Sequence, residues 1–446
     1  MKQYEKYKPS GMEWLGDIPE HWEVKRFKDL AYSITGLTYS PDDITDENEG
    51  TLVLRSGNIQ NSCLDFTNNV YVSCKINKTL YFKKGDILLC SRNGSANLVG
   101  KSAYIDQSYN YTWGAFMTVA RSKMDKYLFY SLNSDLLKSN MGLFQTSTVN
   151  QLTAKMLDNM TFLKPPLSEQ TTIANYLDTK TAAIDRKIEL LTAKANKYKA
   201  LRRSLINETV CRGLNPNAPL KDSSIEWIGM IPEHWDEYRM KDLGFLYSGL
   251  SGKAGDDFNQ DENENENNCD FIPFTNIFNN DIINPEMMGK VVVFDNEKQN
   301  KVKRNDLFFL MSSEDYDGLG KSSLLNVDLK NTYLNSFCKG FRITRKKVLP
   351  AFLNYQLQSD TFRKIMQIEG KGFTRMNLKM EKVNDFTIFI PNSIEEQATI
   401  VKYLNERNAQ IDTILNNISQ QITKLTQLRK TLINDVVTGK IKVTED

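Results

Sequence analysis

The chain repeats itself, and this duplication constrains its architecture more than any other feature. Residues 13–30 (EWLGDIPEHWEVKRFKDL) match residues 226–243 (EWIGMIPEHWDEYRMKDL) without a gap. A second pair of segments, 165–185 and 391–412, matches when Glu169-Gln170 is aligned with Glu396-Gln397. An internal repeat on this scale indicates two copies of one structural unit and not a single continuous core.

Both histidines of the chain, His21 and His234, occupy the same position in the first repeat. A catalytic pair is one interpretation, but the sequence favours a structural role, in which Trp22 and Trp235 pack and the imidazole bonds to the backbone. Because the chain has only two histidines, most histidine-based metal sites and acid–base triads are excluded.

Each copy of the second repeat predicts the start of a long helix. A proline is followed by Ser168 or Ser393 and by acidic residues, which is typical of a helix N-terminus. Apolar residues then recur at spacings of three and four over 168–210 and 395–437, which predicts coiled-coil seams, with two ordinary core helices as the alternative. The predicted seam residues include Leu177, Ile184, Ile188, Leu191, Leu201, Leu205, Leu404, Ile411, Leu415, Ile418, Leu428 and Leu432.

Two regions between the repeats, 25–164 and 238–390, contain strand-like runs and turns rich in Asn, Gly and Asp. They are only distantly alike, yet they keep short landmarks in the same order, which predicts two modules that have diverged on a common frame. The landmarks are Asn58-Ile59 with Asn276-Ile277, Gly85–Leu88 with Asn305–Phe308, and Gly100–Ser102 with Gly320–Ser322. The predicted boundaries are a first module 1–164, a first helix 165–213, a linker 214–225, a second module 226–390 and a second helix 391–446.

The charge and the cysteine content limit the classes of protein to which the chain can belong. The chain has 57 basic and 55 acidic residues, so it lacks the overall basic character that a protein gripping DNA alone usually has. Its six cysteines are scattered without a CxxC pair, which favours a reducing compartment over a disulfide framework. No apolar run approaches the ~20 residues of a membrane helix. We therefore expect a cytoplasmic protein without a membrane partner.

One segment imitates a nucleotide-binding loop. Residues 94–102 (GSANLVGKS) resemble a phosphate-cradling loop, but five residues separate the glycines instead of four, and the parallel site at Lys321 lacks the leading glycine. The sequence contains no amino-methyltransferase motif and no convincing nuclease motif. An autonomous enzyme therefore has only this segment in its favour, and we expect no catalytic residue and no metal site.

The combination of these motifs resembles the specificity subunits of type I restriction–modification systems. The resemblance rests on EW(L/I)GxIPEHW, the GDIL and GKS landmarks, the Glu-Gln pair and the ID-rich helix, and it covers essentially the whole chain. It implies an α+β fold with two pseudo-symmetric mixed α/β target-recognition domains separated by a pair of long antiparallel coiled-coil helices. Each domain would read one half of a bipartite, asymmetric site in double-stranded DNA, and the helices would set the spacing.

The resemblance also implies partners. Two methylation (M) subunits would dock on the helices, and motor–nuclease (R) subunits would join the complex. S-adenosylmethionine, ATP and Mg would then be bound by these partners and not by this chain. The alternative from another class is a coiled-coil interaction adaptor with two protein-binding modules, and co-purification of methylation and motor–nuclease subunits discriminates between the two.

The types of side chain in each loop indicate which loops are candidates for reading DNA bases. In the major groove, Arg or Lys specifies guanine and Asn or Gln specifies adenine. Side chains of these types cluster in polar, Gly-containing loops between the predicted strands, although a solvated loop remains the alternative for each residue. The candidate DNA-binding residues are Arg55, Asn58, Arg92, Asn93, Lys101, Gln145, Asn150, Gln151, Asn276, Lys321, Lys371, Arg375 and Asn377.

Overall fold

The computed structural model describes residues 2–144, 150–258, 267–372 and 375–443. The chain divides into two compact units, the first comprising Met1–Thr192 with Ser419–Asp446 and the second comprising Ala193–Ile418. The division falls inside the two long helices, whereas the predicted boundaries lie at the helix ends. The physical reason is that each half-helix shares a hydrophobic core with one module.

The first unit is rich in short strands. Its strands are β1 (Tyr7–Pro9), β2 (Asp17–Pro19), β3 (Glu23–Arg26), β4 (Ala31–Thr35), β5 (Ile44–Thr45), β6 (Thr51–Leu54), β7 (Ile59–Gln60), β8 (Cys63–Leu64), β9 (Tyr71–Val72), β10 (Ile87–Cys90), β11 (Ser102–Tyr104), β12 (Thr112–Trp113), β13 (Met117–Ser122) and β14 (Thr161–Lys164). Its helices are α1 (Asp125–Leu132), α2 (Asp135–Phe144), α3 (Ala154–Asn159), the first part of α4 (Leu167–Arg212) and the last part of the C-terminal helix.

Two four-stranded sheets build the first module. One is antiparallel in the order β11-β10-β13-β4, and the other has the order β12-β6-β9-β5, with β6 and β12 parallel. Side chains alternate across a strand, so Ile87 and Leu89 of β10 face a core shared with the helices, whereas Leu88 and Cys90 face the second sheet. Burial on both faces explains why this segment is a continuous apolar run.

The second unit follows the same plan. Its strands are β15 (Leu220–Asp222), β16 (Met230–Pro232), β17 (Trp235–Arg239), β18 (Gly244–Ser248), β19 (Asn268–Ile272), β20 (Gly289–Val292), β21 (Leu307–Leu310), β22 (Ser312–Ser313), β23 (Ser322–Leu324), β24 (Thr332–Leu334), β25 (Cys338–Ile343), β26 (Met376–Asn377) and β27 (Thr387–Pro391). Its helices are the last part of α4, α5 (Met240–Leu243), α6 (Phe274–Asn279), α7 (Pro350–Gln358), α8 (Asp360–Glu369), α9 (Met380–Asn384) and the first part of α10 (Ile394–Val437).

The two modules share the main features of their sheet topology. The sheet β18-β25-β21-β23 repeats the antiparallel order of the first module, and β19 pairs with β24 in parallel as β6 pairs with β12. The segment predicted as a linker, 214–225, is part of this plan, because β15 pairs with β16 as β1 pairs with β2. The repeat therefore begins before the EWLG motif in the first copy and inside the predicted linker in the second.

One departure between the copies has a simple backbone explanation. Gly85 and Asn305 precede the equivalent strands β10 and β21, and both adopt positive φ angles, +90° and +74°. Asparagine is among the few residues that tolerate this left-handed conformation, which explains why it can replace glycine in the second landmark.

We expect Gly85→Ala to lower the free energy of unfolding by about 1–2 kcal/mol, because an alanine is strained in the left-handed region. Its Cβ would also lie 3.3 Å from Oδ1 of Asp125. The matched variant Asn305→Gly should change the free energy of unfolding by less than about 1 kcal/mol, since glycine adopts the same φ without strain. Urea denaturation of both variants measures the difference, and equal losses would contradict this account of the turn.

The two long predicted helices are present as α4, with 46 residues, and α10, with 44 residues. Ser393 caps α10 by accepting a hydrogen bond from the backbone N–H of Glu396 (3.2 Å). Helix α4 begins at Leu167, so Ser168 lies inside the helix and does not have the predicted capping position.

The helices pack antiparallel within each unit. In the first unit, Leu177 near the start of α4 shares a core with Leu432 and Val436 near the end of α10. In the second unit, Val210 near the end of α4 shares a core with Leu404 near the start of α10. Among the other predicted seam residues, Ile411 and Ile418 are buried, and a further set is half-buried. The half-buried residues are Ile184, Ile188, Leu191, Leu205 and Leu415.

The seam prediction is wrong at two equivalent positions, Leu201 and Leu428, which are exposed. The following residues, Arg202 and Arg429, turn inward instead and pair with the aspartates of the repeated Ile-Asp motif. Arg202 pairs with Asp412 in the second unit, and Arg429 Nε lies 2.9 Å from Asp185 Oδ1 in the first. An interhelical ion pair therefore takes the place of an apolar contact at the same point in both copies.

Candidate nucleic-acid interface

The two repeated motifs meet where each module joins its helix. The indole N–H of Trp22 donates to Glu169 (3.0 Å), and Nε2 of His21 lies 2.8 Å from the same carboxylate. The second copy repeats this joint with Trp235, His234 and Glu396, at 3.1 and 2.9 Å. The packing predicted for the tryptophans is observed, since both are fully buried. The predicted histidine bond to the backbone is wrong, because the carboxylate of the helix is the partner.

A buried ion pair fixes the central strands of the first module. Arg121 on β13 donates to both carboxylate oxygens of Asp86, at 2.7 and 3.0 Å, and the two side chains are only 9% and 2% exposed. Arg342 and Asp306 form the same bidentate contact in the second module, at 2.9 and 2.6 Å. The GDIL landmark is therefore a structural element, whose aspartate holds an arginine of the neighbouring strand.

Two candidate DNA-binding residues are buried in turns. The side-chain amide of Asn58 donates to the carbonyl of Asp65 (2.9 Å), and its Oδ1 accepts from the backbone of Arg55. Asn276 holds the equivalent turn by donating to the carbonyls of Asn284 and Met287, at 2.8 and 2.9 Å. Because both side chains are buried and bonded to their own turns, neither offers a free edge to a base. The asparagines belong to the frame of each module.

The lysines of the GKS landmarks are also bonded to the frame. Nζ of Lys101 donates to the carbonyl of Ile59 (2.8 Å), and Nζ of Lys321 donates to the carbonyl of Phe278. Both side chains are half-buried. A lysine that binds a backbone carbonyl across its own module is not poised to bind a phosphate chain, which removes the main argument for a nucleotide-binding loop.

Four of the remaining candidates of the first module, Arg55, Arg92, Asn93 and Asn150, line an open cleft of about 970 Å³. Arg55 and Arg92 are exposed on its wall, and Asn93 is anchored by a hydrogen bond from its amide to Ser56 Oγ (3.0 Å). Asn150 closes the same wall by donating to the carbonyl of Gly94 (3.0 Å). Gln151 is half-buried and forms an isolated bridge with Arg92, while Gln145 lies outside the described residues.

The remaining candidates of the second module lie around the short antiparallel pair of strands β22 and β26. Lys371, Arg375 and Asn377 are all exposed. The backbones of Lys371 and Asn377 exchange two hydrogen bonds, at 2.9 and 3.1 Å, which holds the three side chains on one short segment. The structure therefore brings together basic and amide side chains in each module, as a base-reading surface requires.

Sequence reasoning missed an exposed phenylalanine that lies at the same place in each module. Phe116 is 61% exposed and lines the cleft of the first module, and Phe337 is 56% exposed. Both immediately precede the equivalent strands β13 and β25, which pair in the same register with β10 and β21. The sequence did contain a signal for these residues, because a phenylalanine occurs at the aligned position of two otherwise divergent loops.

Metal binding and thiol catalysis have little support in the part of the chain that the structure describes. There, no group of three or more His, Cys, Asp or Glu side chains is placed to hold a metal ion. Burial raises the pKa of Cys211 to about 11 and that of Cys338 to about 12, so neither thiol is a ready nucleophile at neutral pH. No helix among the described residues has the length and apolar character to span a membrane.

The comparisons with known proteins agree with this architecture. The family model described as the type I restriction modification DNA specificity domain matches residues 19–197 and again residues 232–424. The chain therefore belongs to the type I restriction modification DNA specificity family. Its two matched segments coincide with the two copies of the repeat.

Similar proteins span nearly the whole chain. The StySPI specificity subunit of Salmonella potsdam is 23% identical, covering 96% of this chain and 90% of its own length. The MjaVIII specificity subunit of Methanocaldococcus jannaschii is 26% identical, covering 96% and 94%. Among solved structures, a chain of a type I restriction–modification system superposes with a TM-score of 0.70 at 14% identity, covering 95% of this chain and 99% of its own. The HsdS subunit from Thermoanaerobacter tengcongensis gives a TM-score of 0.51 at 14% identity, covering 95% and 98%. These likenesses confirm the predicted fold.

Proposed function

We propose that this chain is the non-catalytic, sequence-reading subunit of a type I restriction–modification complex, and that each module reads one half of a bipartite, asymmetric DNA site. One observation carries the proposal. The contacts that hold each module together, such as Asp86 with Arg121 and Asp306 with Arg342, recur in both copies. The exposed side chains around them differ. Two modules that share their buried contacts but differ in their exposed side chains are suited to recognising two different DNA sequences.

The difference is visible at aligned positions. Arg92 and Gln151 form a backbone bridge in the first module, and Ser312 and Asn377 occupy the same bridge in the second. A guanidinium specifies guanine, whereas a short hydroxyl discriminates weakly between bases. The two modules would therefore select different base pairs at the same place on their surfaces.

The chain would act together with other subunits of the complex. The helices would set the spacing between the two half-sites and bind two methylation subunits. Leu201 and Leu428 are exposed at equivalent positions of α4 and α10, and they provide apolar surface for such contacts. Motor–nuclease subunits would complete the assembly in the cytoplasm, where the DNA lies. S-adenosylmethionine, ATP and Mg would be bound by these partners.

The test is methylome sequencing of the host with and without the gene for this chain. We expect a bipartite methylated motif that disappears on deletion and returns when the intact gene is restored. Its two halves should differ in sequence, because the two modules present different side chains. A methylome that does not change on deletion, in a host whose methylation subunits are expressed, would contradict the proposal.

The alternative, a coiled-coil adaptor for proteins, is not favoured by the family match. It would leave the methylome unchanged on deletion, so the same experiment separates the two functions.

A further inference from the structure

The exposed aromatic residues Phe116 and Phe337 lie in the same kind of turn. The backbone N–H of Met117 donates to the carbonyl of Gly114 (2.8 Å), and that of Cys338 donates to the carbonyl of Asn335 (3.1 Å). Each phenylalanine therefore occupies the third position of a tight turn that leads into a central strand. Phenylalanine is usually buried, so two large rings held out at the same position in both modules call for an explanation.

An arginine lies over each ring. The guanidinium carbon of Arg92 is 5.3 Å from the centre of the Phe116 ring, and that of Arg375 is 5.4 Å from the centre of the Phe337 ring. Both distances fit a cation–π contact, in which the positive group is attracted to the negative face of the ring.

The two arginines come from different places in the repeat. Arg92 follows β10, and the aligned residue in the second module is Ser312. Arg375 instead lies immediately before β26, the strand whose Asn377 pairs with Ser312. The same Arg-over-Phe arrangement has therefore been built from non-equivalent positions. Simple inheritance of the repeat does not explain this recurrence, but a shared requirement of the two surfaces does.

The guanidinium donors of both arginines are unused within the part of the chain that the structure describes. Among the described residues, neither Arg92 nor Arg375 donates a side-chain hydrogen bond or forms an ion pair, and both are exposed. An arginine presents its N–H groups as a rigid fork, which matches the O6 and N7 acceptors of guanine in the major groove. The ring beneath holds the guanidinium in place, so less freedom is lost when the fork binds.

We propose that Arg92 on Phe116 and Arg375 on Phe337 each read one guanine, one in each half of the bipartite site. The inference rests on the proposed function and specifies which residues carry part of it. The phenylalanines are positioning residues, because they act through the arginine above them.

The test uses the full chain assembled with the methylation subunits of its host. The preferred site is first selected from random duplexes, and each base pair of that site is then replaced in competition binding. We expect Arg92→Lys to lose at least about tenfold of the preference for one G·C pair, since lysine keeps the charge but lacks the fork. Phe116→Ala should weaken the preference at the same pair, and Phe116→Tyr should retain it, because tyrosine keeps the aromatic face.

The second module supplies a matched set of variants. Arg375→Lys and Phe337→Ala should lower the preference at a single G·C pair of the other half-site and leave the first half unchanged. Since all of these side chains are exposed, we expect unaltered thermal unfolding, and recognition of the untouched half-site serves as an internal control for folding.

Several outcomes would overturn the inference. If Arg92→Lys and Arg375→Lys weaken binding to every duplex alike, or change nothing, the arginines contact phosphates or solvent and not guanine. If Phe116→Tyr fails to retain what Phe116→Ala loses, the ring does not act by holding the guanidinium. In each of these cases a selective wild-type complex still supports the proposed function. A wild-type complex without sequence preference would overturn both.

Discussion

Replacing Asp86 with alanine is expected to lower the free energy of unfolding of the first unit by about 3–5 kcal/mol, because the change leaves the buried Arg121 without its carboxylate. Removing one partner of a buried pair costs far more than removing both, since the remaining charge stays out of water. Urea denaturation, with hydrogen exchange measured along β10 and β13, reports the loss where it arises.

The control for this prediction is Asp29→Ala. Asp29 forms an exposed ion pair with Arg26, at 3.6 Å, so its removal should change the free energy of unfolding by less than about 1 kcal/mol. Similar losses in the two variants would mean that burial of the Asp86–Arg121 pair does not determine its contribution.

The second large effect concerns specificity. Exchanging residues 27–160 for the corresponding region of a relative should change one half of the methylated motif completely and leave the other half unaltered. These limits keep β3 and β14 native, and they preserve the strand pair that closes the module in front of α4. Methylome sequencing of a host that carries the exchanged gene reads both half-sites at once.

The reciprocal exchange is the matched control. Residues 240–386 lie between β17 and β27, which form the equivalent strand pair of the second unit. Replacing them should alter only the half-site that the first exchange left intact. If either exchange altered both half-sites, the modules would not read DNA independently.

The helices were the most predictable part of the molecule. The predicted seam ranges, 168–210 and 395–437, lie within about two residues of the ends of α4 and α10, because seam periodicity is a local signal, whereas the predicted boundary 391–446 extends past the end of α10. The duplicated modules were also predictable, since the repeat is visible directly in the sequence. Individual seam positions were less predictable. Leu201 and Leu428 fit the apolar pattern but are exposed, because the adjacent arginines turn inward and pair with aspartates of the other helix. The spacing of apolar residues does not reveal such partners.

The candidate site was predictable only by residue type. Arg92, Arg375 and Asn377 are exposed, whereas Asn58 and Asn276 are buried and bonded to their own turns. A loop asparagine has the same local sequence context in both situations, and only the tertiary hydrogen bonds decide between them. The Arg-over-Phe pairs were missed for the same reason, because each joins segments that are distant along the chain.

The second copy of the repeat is longer than the first, and the extra length is distributed along it. The distance in sequence between equivalent residues increases at every step through a series of matched pairs. In chain order these pairs are Gly36 with Gly249, Asp86 with Asp306, Phe116 with Phe337, Leu152 with Leu378, and Glu169 with Glu396. Extra residues have thus entered each interval between successive pairs, while equivalent residues still bound each interval. These intervals are natural acceptor sites for engineering: a peptide tag or a small reporter domain inserted there should be carried without disturbing the scaffold.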